Sequence, residues 1–184
     1  GQEDENLVRL SRLIRSGLDV NAHTFIPLHD ELQLVSNYVR VCAPSLGDDF
    51  SFVVNAPSVE EQQKLMIPSM FVLILVENAV KHALRNKQGK KELVIDVSFP
   101  SDKEDSYIIT VSDNGPGFDV THLSRDREHI GLHIIKSTMM LLGRKKMRLD
   151  IHNRISSDNS IAGCDASLIL PKNVNLTKHE NSYS

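Results

Sequence analysis

Apolar residues recur at helical spacing in two segments near the start of the chain. Around residues 3–17 they are Leu7, Leu10, Leu13, Ile14 and Leu18, and in residues 28–42 they are Leu28, Leu32, Val35 and Val39. Steps of three and four residues place such side chains on one helix face. The pattern therefore predicts two amphipathic helices, the second followed by a loop at Pro44, Gly47 and Asp48.

A third segment, residues 69–76, is apolar on nearly all sides, which is typical of a buried helix. We expect Pro68 to occupy its first turn, where the missing N–H is not needed. The helix ends in a polar run, Glu77-Asn78-Ala79-Val80-Lys81-His82. At about 100° per residue, its four polar side chains (Glu77, Asn78, Lys81 and His82) share an arc of roughly 140°.

This polar face is open to two interpretations. Glu77 and Lys81 have the spacing and order of an ordinary helix ion pair, and Asn78 and His82 have the same spacing. Alternatively, the four groups serve a bound Mg²⁺ and phosphates, because polar groups on a buried helix need partners. Mg²⁺ takes oxygen ligands and usually keeps several waters. The helix alone does not decide between the two.

Five runs rich in β-branched or alternating apolar residues predict strands, at residues 50–55, 92–99, 107–112, 147–153 and 166–170. Polar stretches at 100–106 and 154–165 predict loops, and the polar tail from residue 173 is expected to be disordered. Strands and helices together predict an α+β fold. The expected architecture is a two-layer α/β sandwich: helices cover one face of a mixed sheet, and a helical segment precedes it.

A glycine-rich turn, Asp113-Asn114-Gly115-Pro116-Gly117-Phe118, follows the strand at 107–112. Asn-Gly is a strong turn signal and would suit a hairpin. The sequence does not resume a strand, however: residues 119–128 are polar, and a helical pattern then runs from Ile130 to Leu142. A strand, a glycine turn and a helix N-terminus predict a nucleotide pocket, because free N–H groups at a helix start favour phosphate.

In their order and spacing, these two segments and Ile130-Gly131-Leu132 resemble the N, G1 and G2 boxes of the GHKL superfamily (gyrase, Hsp90, histidine kinase, MutL). Residues 28–39 resemble the "L–EL–––––Y" segment of LytS/YehU-type sensor histidine kinases, and residues 6–15 resemble their second dimerisation helix. The resemblance implies the Bergerat-type fold. It divides the chain into a dimerisation-helix end with a linker helix (1–44), an ATP-binding catalytic domain (45–172) and a tail (173–184).

The resemblance implies a role for each matching residue. Asn78 would coordinate the Mg²⁺ that bridges the phosphates of ATP, and Glu77 would act in catalysis by polarising the attacking nucleophile. Asp113 would accept a hydrogen bond from the adenine amino group. Further contacts with the nucleotide would come from Lys81, His82, Gly115, Gly117, Gly131 and Leu132. Residues 119–129 would form the ATP lid, with Arg125 and Arg127 either near the γ-phosphate or simply solvated.

By the same resemblance, the expected function is that of the catalytic domain of a two-component sensor histidine kinase. Such a domain uses Mg²⁺-ATP to autophosphorylate a histidine, here one outside this chain, and signals to a response regulator. The full-length protein is expected to be a homodimer formed through its dimerisation helices. Upstream segments are expected to anchor it in a bacterial membrane, with this portion in the cytoplasm.

Two departures from the family pattern keep alternatives open. His129 stands where the G2 box usually has its first glycine, and no motif resembling H-F-L-F-N supplies a phosphoacceptor histidine. One alternative is a degenerate, weakly nucleotide-binding regulatory or dimerisation module. Another alternative is an ATPase of the Hsp90 or MutL kind, which acts on water and shares the same boxes.

Composition and charge exclude several other classes. The net charge of −3 gives no basic footprint for nucleic acid. The eight histidines show no metal-ligand spacing such as H-E-x-x-H. Cys42 and Cys164 form no C-x-x-C motif, which indicates a reduced setting. No run of 18 apolar residues predicts a membrane span.

Overall fold

A five-stranded mixed sheet is the centre of the computed structural model, which describes residues 25–101, 105–118, 130–141 and 147–173. Its strands are β2 (Phe50–Asn55), β4 (Lys91–Ser98), β5 (Ser106–Asp113), β6 (Arg148–Ile155) and β7 (Ile161–Pro171). They are ordered β2-β4-β5-β7-β6, and only the β2–β4 pair is parallel. Two short strands, β1 (Phe25–Pro27) and β3 (Met66–Pro68), form a separate antiparallel pair.

Four helices accompany these strands in the described ranges. They are α1 (Leu28–Leu46), α2 (Val59–Lys64), α3 (Phe71–Asn78) and α4 (Ile130–Leu141), and α3 continues into a π-helical segment, Ala79–Leu84. One hydrophobic cluster joins α1, α3 and α4 to the sheet. The predicted α+β class, with helices over one face of a mixed sheet, is confirmed. None of the helices in the described ranges combines the length and apolar character needed to cross a membrane.

Strict alternation along β5 decides which side chains face the helices. Tyr107, Ile109, Val111 and Asp113 are buried, whereas the residues between them are only half-buried. Successive strand residues point to opposite faces, so Asp113 lies on the same side as three large apolar side chains. The last residue of β5 therefore brings a carboxylate to the layer between sheet and helices.

Helix α1 is longer than its pattern predicted. Pro44 lies inside the helix rather than in a loop, and the helix ends only before Gly47, which has φ +92°. Leu46 is 3% exposed, so packing against the core holds the last turn in place despite the proline. The predicted division after residue 44 falls within this helix, and the division itself stays a prediction.

The start of α3 corrects a second prediction. Pro68 is not in the first helical turn; it ends β3, where it pairs with Phe25, and the helix begins at Phe71. Glu31 of α1 caps the helix instead. Its buried carboxylate accepts the backbone N–H groups of Met70, Val72 and Leu73 at 2.9, 3.0 and 3.1 Å. These donors belong to the first turn, which has no partners within the helix.

The predicted loop at 154–165 is also wrong, because most of it is strand. β6 extends to Ile155 and β7 begins at Ile161, so only five residues make the turn. Asp158 organises this turn by accepting the backbone N–H of Ser160 at 3.0 Å. The predicted strand at 166–170 begins five residues earlier, at Ile161. The strands predicted at 50–55, 92–99, 107–112 and 147–153 agree with the structure to within two residues at each end. The predicted helix around 3–17, the segment 119–129 and the tail beyond residue 173 lie outside the described residues.

Candidate functional site

A pocket of about 60 Å³ opens between the helical layer and the end of β5. It is lined by Leu75, Asn78, Ala79, His82, Ala83, Val111, Asp113, Gly117, Phe118, Leu132, Ile151, Cys164 and Ala166. Most of this lining is apolar, and several residues are small. A mostly apolar pocket with a few polar groups is typical of a small-molecule site.

The structure brings five of the nine predicted site residues together at this pocket. Asn78 and His82 come from the helical wall, Asp113 and Gly117 from the end of β5 and its turn, and Leu132 from α4. The remaining four (Glu77, Lys81, Gly115 and Gly131) are close by but do not line it.

Glu77 and Lys81 form the ion pair that their spacing suggested. Lys81 Nζ donates to Glu77 Oε1, and the Glu77 side chain is only 5% exposed. The two interpretations of the polar helix face are therefore compatible. Glu77 and Lys81 are paired with each other, whereas Asn78 and His82 line the pocket.

Asn78 has an unsatisfied donor at the pocket wall. Its Nδ2 atom is buried and has no hydrogen-bond partner among the described residues. A buried polar group without a partner costs about 1–3 kcal/mol. Such a group at the wall of a pocket is a candidate for a contact with a bound ligand or with its hydration shell.

Asp113 is the carboxylate of the opposite wall and is 6% exposed. One of its oxygens accepts the backbone N–H of Gly115 at 2.8 Å. Burial raises the pKa of Asp113 above its ordinary value of 3.8, while the Gly115 N–H and the nearby Arg154 act in the opposite direction. A carboxylate in apolar surroundings is a strong acceptor for a donor placed in the pocket.

We expect the raised pKa of Asp113 to appear in the pH dependence of stability. The folded protein holds the Asp113 proton more tightly than the unfolded chain does. This group therefore adds stability as the pH falls through the folded pKa towards 3.8, and loses that contribution as the pH rises. A carbon-13 NMR titration of the Asp113 carboxyl measures the pKa directly. A midpoint at or below 3.8 would contradict the structure.

The turn after Asp113 is fixed from both sides. Asn114 accepts the N–H of Glu92 at 2.9 Å and donates to the carbonyl of Lys90 at 3.0 Å. Asn153 of β6 accepts the N–H of Phe118 at 2.6 Å and donates to its carbonyl at 2.9 Å. The turn is therefore a rigid part of the pocket rather than a loose loop.

Glycines allow this turn and the start of α4 to approach their neighbours closely. A Cβ on Gly115 would lie 2.5 Å from the Cβ of Ala83, and one on Gly131 would lie 2.7 Å from Ile74 Cγ2. Gly117 has φ +89°, a conformation that other residues rarely adopt. Gly115 and Gly131 thus bring backbone against the helical wall that carries Asn78.

The β6–β7 hairpin supplies pocket residues that the sequence did not identify, namely Ile151, Cys164 and Ala166. Burial and the charges of Asp113 and Asp165 raise the pKa of the Cys164 thiol to about 12, so it stays protonated. Cys164 fell in a predicted loop. Its pairing with Asp113 across β5 and β7 is a long-range contact with no local signal.

The residues present fit a metal ion only in a limited way. No group of three or more His, Cys, Asp or Glu residues that could hold a metal occurs in the described ranges. A cation here would need most of its ligands from a bound molecule or from water, with the Asn78 amide oxygen as a protein ligand. Such sparse protein coordination is how Mg²⁺ is usually held beside phosphates.

Comparisons with known proteins identify a family for this chain. Residues 69–173, which include all nine predicted site residues, match the sequence model of the histidine kinase-, DNA gyrase B- and HSP90-like ATPases. The sensor protein LytS of Staphylococcus epidermidis is 29% identical over 182 residues, covering 95% of this chain and 29% of the relative. The sensor histidine kinase/phosphatase LytS of Staphylococcus aureus is 32% identical over 127 residues, covering 68% of this chain and 20% of the relative. The chain therefore spans less than a third of the length of these relatives.

Solved structures share the fold. The histidine kinase domain of the Erythrobacter litoralis EL346 blue-light activated kinase has a TM-score of 0.55 at 17% identity, covering 92% of this chain and 74% of that one. Histidine kinase ThkA, in complex with response regulator protein TrrA, has a TM-score of 0.58 at 15% identity, covering 92% of this chain and 49% of that one. Because the family model covers more than half of the sequence, this chain belongs to the family of histidine kinase-, DNA gyrase B- and HSP90-like ATPases.

Proposed function

We propose that this chain is the catalytic, ATP-binding domain of a two-component sensor histidine kinase. The observation that carries the proposal is the pairing of two groups across one apolar pocket. Asn78 presents an amide with an unsatisfied buried donor, and Asp113 presents a buried carboxylate. Family membership and the LytS relatives support the same conclusion.

The apolar pocket would hold the adenine ring. Asp113 lines this pocket and would accept a hydrogen bond from the exocyclic amino group of adenine. Guanine carries a carbonyl oxygen at the equivalent ring position, and this oxygen would repel the carboxylate. A buried group left unpaired by the wrong base gives the site its selectivity.

The helical wall would meet the phosphates. The Asn78 amide oxygen would be a ligand of Mg²⁺, and His82 on the same wall would contact phosphate oxygens. Bound Mg²⁺ would neutralise charge on the phosphates. Lys81 is paired with Glu77. In a phosphate contact, the positive charge of Lys81 would therefore be shared between the phosphate and the Glu77 carboxylate. Glu77 would orient the attacking nucleophile, and catalysis would consist mainly of positioning and charge neutralisation.

The rest of the signalling system would lie outside this chain. The γ-phosphate would pass to a histidine on a dimerisation helix of the longer protein and then to an aspartate of a response regulator. The homodimer would form through the same helices. In this proposal residues 1–44 form the end of the dimerisation helix and a linker helix, residues 45–172 form the catalytic domain, and upstream segments hold the protein at a membrane. The solved ThkA structure contains a response regulator, which is the kind of partner proposed here.

Replacement of Asp113 by Asn tests the base-recognition part of this proposal. We expect the wild-type chain to prefer ATP to GTP. The Asp113→Asn variant should bind ATP about tenfold more weakly or worse, because it loses a charged acceptor, and its preference for ATP should shrink. Calorimetric titrations with non-hydrolysable ATP and GTP analogues in the presence of Mg²⁺ measure both quantities.

The matched control is Asp150→Asn. Asp150 is paired with Arg148 and lies at a half-buried position of β6 that does not line the pocket. This variant should keep wild-type affinity and preference. An Asp113→Asn variant with an unchanged ATP/GTP preference would argue against the assigned role. A folded wild-type chain that binds neither nucleotide would instead favour the regulatory or dimerisation module.

A further inference from the structure

Arg154 reaches from one strand of the sheet to another that is not its neighbour. Its Nη2 atom donates to the backbone carbonyl oxygen of Asp113 at 2.7 Å. Arg154 is on β6 and Asp113 ends β5, and β7 lies between these two strands. The guanidinium therefore crosses β7 and connects the hairpin to the residue at the pocket wall.

Gly163 of β7 makes this reach possible. It is the partner of Arg154 in the β6–β7 register, and it has φ +136°. A Cβ at this position would lie 2.0 Å from the Asp113 carbonyl oxygen and 2.6 Å from Arg154 Nη2, in the space of the hydrogen bond itself. The register also shifts between Arg154 and Ile155. Irregularities of this kind re-aim side chains near functional sites.

The other side of the guanidinium is held by Asp165. Arg154 Nη1 donates to Asp165 Oδ1, and the side chain of Asp165 is 18% exposed. His152 Nε2 lies 3.7 Å from the second oxygen of Asp165. Arg154 is therefore anchored at one end to a carboxylate and at the other to the main chain of Asp113. A guanidinium held in this way keeps the two groups at a fixed separation, because its donors have fixed directions.

We propose that Arg154 is a positioning residue for base recognition: it fixes the main chain of Asp113 so that the carboxylate faces the pocket. Arg154 itself does not line the pocket. The inference rests on the proposed function, since it assumes that Asp113 recognises a base. It adds a residue outside the segments that resemble the family boxes, and it explains why Gly163 has no side chain.

The charges around Asp113 support the same role. Burial raises the pKa of Asp113 most strongly and the charge of Asp165 adds to this rise, whereas the positive charge of Arg154 favours the ionised carboxylate. Cys164 on β7 is a protonated thiol beside it, and His82 lines the same pocket from the helical wall. Without Arg154, the pKa of Asp113 should rise further. The carboxyl would then take up a proton at a higher pH and become a weaker hydrogen-bond acceptor.

Arg154→Met and Arg154→Lys test the proposal, with Arg148→Met as the control. Arg148 lies on the same strand, is 64% exposed and is paired with Asp150. The readouts are the affinity for an ATP analogue with Mg²⁺ and the carbon-13 titration of the Asp113 carboxyl. We expect Arg154→Met to bind about tenfold more weakly and to titrate at higher pH. In Arg154→Lys, the pKa of Asp113 should lie closer to the wild-type value than the affinity for the ATP analogue does. Arg148→Met should match the wild type in both measurements.

A purely structural role would lower the stability of Arg154→Met without altering either readout in the folded protein, and that result would overturn the proposal. If Arg154→Met does not fold, Arg154→Lys decides: wild-type affinity together with a wild-type titration would refute the role. A wild-type chain that binds no adenine nucleotide would overturn the proposed function instead. The experiment therefore distinguishes a chain that does not bind adenine nucleotides from one in which Arg154 does not position Asp113.

Discussion

Replacement of Glu31 by Gln is expected to lower the free energy of unfolding by about 3 kcal/mol, because it removes one of two buried acceptor oxygens and a buried donor left without a partner costs about 1–3 kcal/mol. The carboxylate accepts three N–H groups at the start of α3. A glutamine offers one oxygen, and its NH₂ group would face donors. Urea denaturation measures the change.

Glu60→Gln is the matched control for this prediction. Glu60 is a glutamate on the surface of α2, its side chain is 82% exposed, and it is paired with Lys64. Pairs of this kind contribute little in water, so the control should unfold near the wild-type midpoint. A Glu31→Gln variant as stable as the control would show that Glu31 does not cap α3.

Replacement of Asn78 by Ala is expected to abolish Mg²⁺-ATP binding while leaving the fold intact. The affinity should fall by about a hundredfold or more, because the proposed metal ligand and the polar contact beside it are both lost. Stability should be unchanged or higher. The substitution removes a buried donor that has no partner among the described residues, and alanine is the best helix former. Loss of binding with retained stability identifies a residue kept for its ligand.

Calorimetry with an ATP analogue and thermal unfolding of the same samples provide both measurements. The control is Asn37→Ala, an exposed asparagine on α1 whose side chain accepts from Arg40. This variant should bind normally. Asn78→Ala with undiminished affinity would refute the assignment of Asn78 as the magnesium ligand. Asn78→Asp should retain part of the affinity, since a carboxylate can also bind Mg²⁺.

The chemistry of the two pocket walls was predictable because it depends on local patterns. Period-two alternation along β5 places Asp113 on the side of Ile109 and Val111, and helical periodicity places Asn78 and His82 on one face. The order of the motifs then predicted the fold. Local periodicity is enough for these three residues because each wall position depends on one continuous helix or one strand.

The supports of the site could not be predicted, because they depend on contacts between distant parts of the chain. Glu31 caps a helix that begins about forty residues later, and Arg154 bonds a carbonyl 41 residues earlier. Pro68 was assigned to a helix because a proline before an apolar run usually fits there. The pairing of β3 with β1 overrides that preference. Cys164 lay in an apparent loop because the β6–β7 hairpin is polar at its tip.

One pocket, between Asn78 and Asp113, is proposed to bind an adenine nucleotide. Methyl NMR of the wild-type chain, titrated with a non-hydrolysable ATP analogue and Mg²⁺, tests it most directly. We predict saturable shifts at pocket methyl groups such as those of Leu75, Val111 and Leu132, with no shift at Val53 on β2, and no response in Asn78→Ala. An unresponsive wild-type pocket, or shifts confined to residues outside it, would contradict the claim.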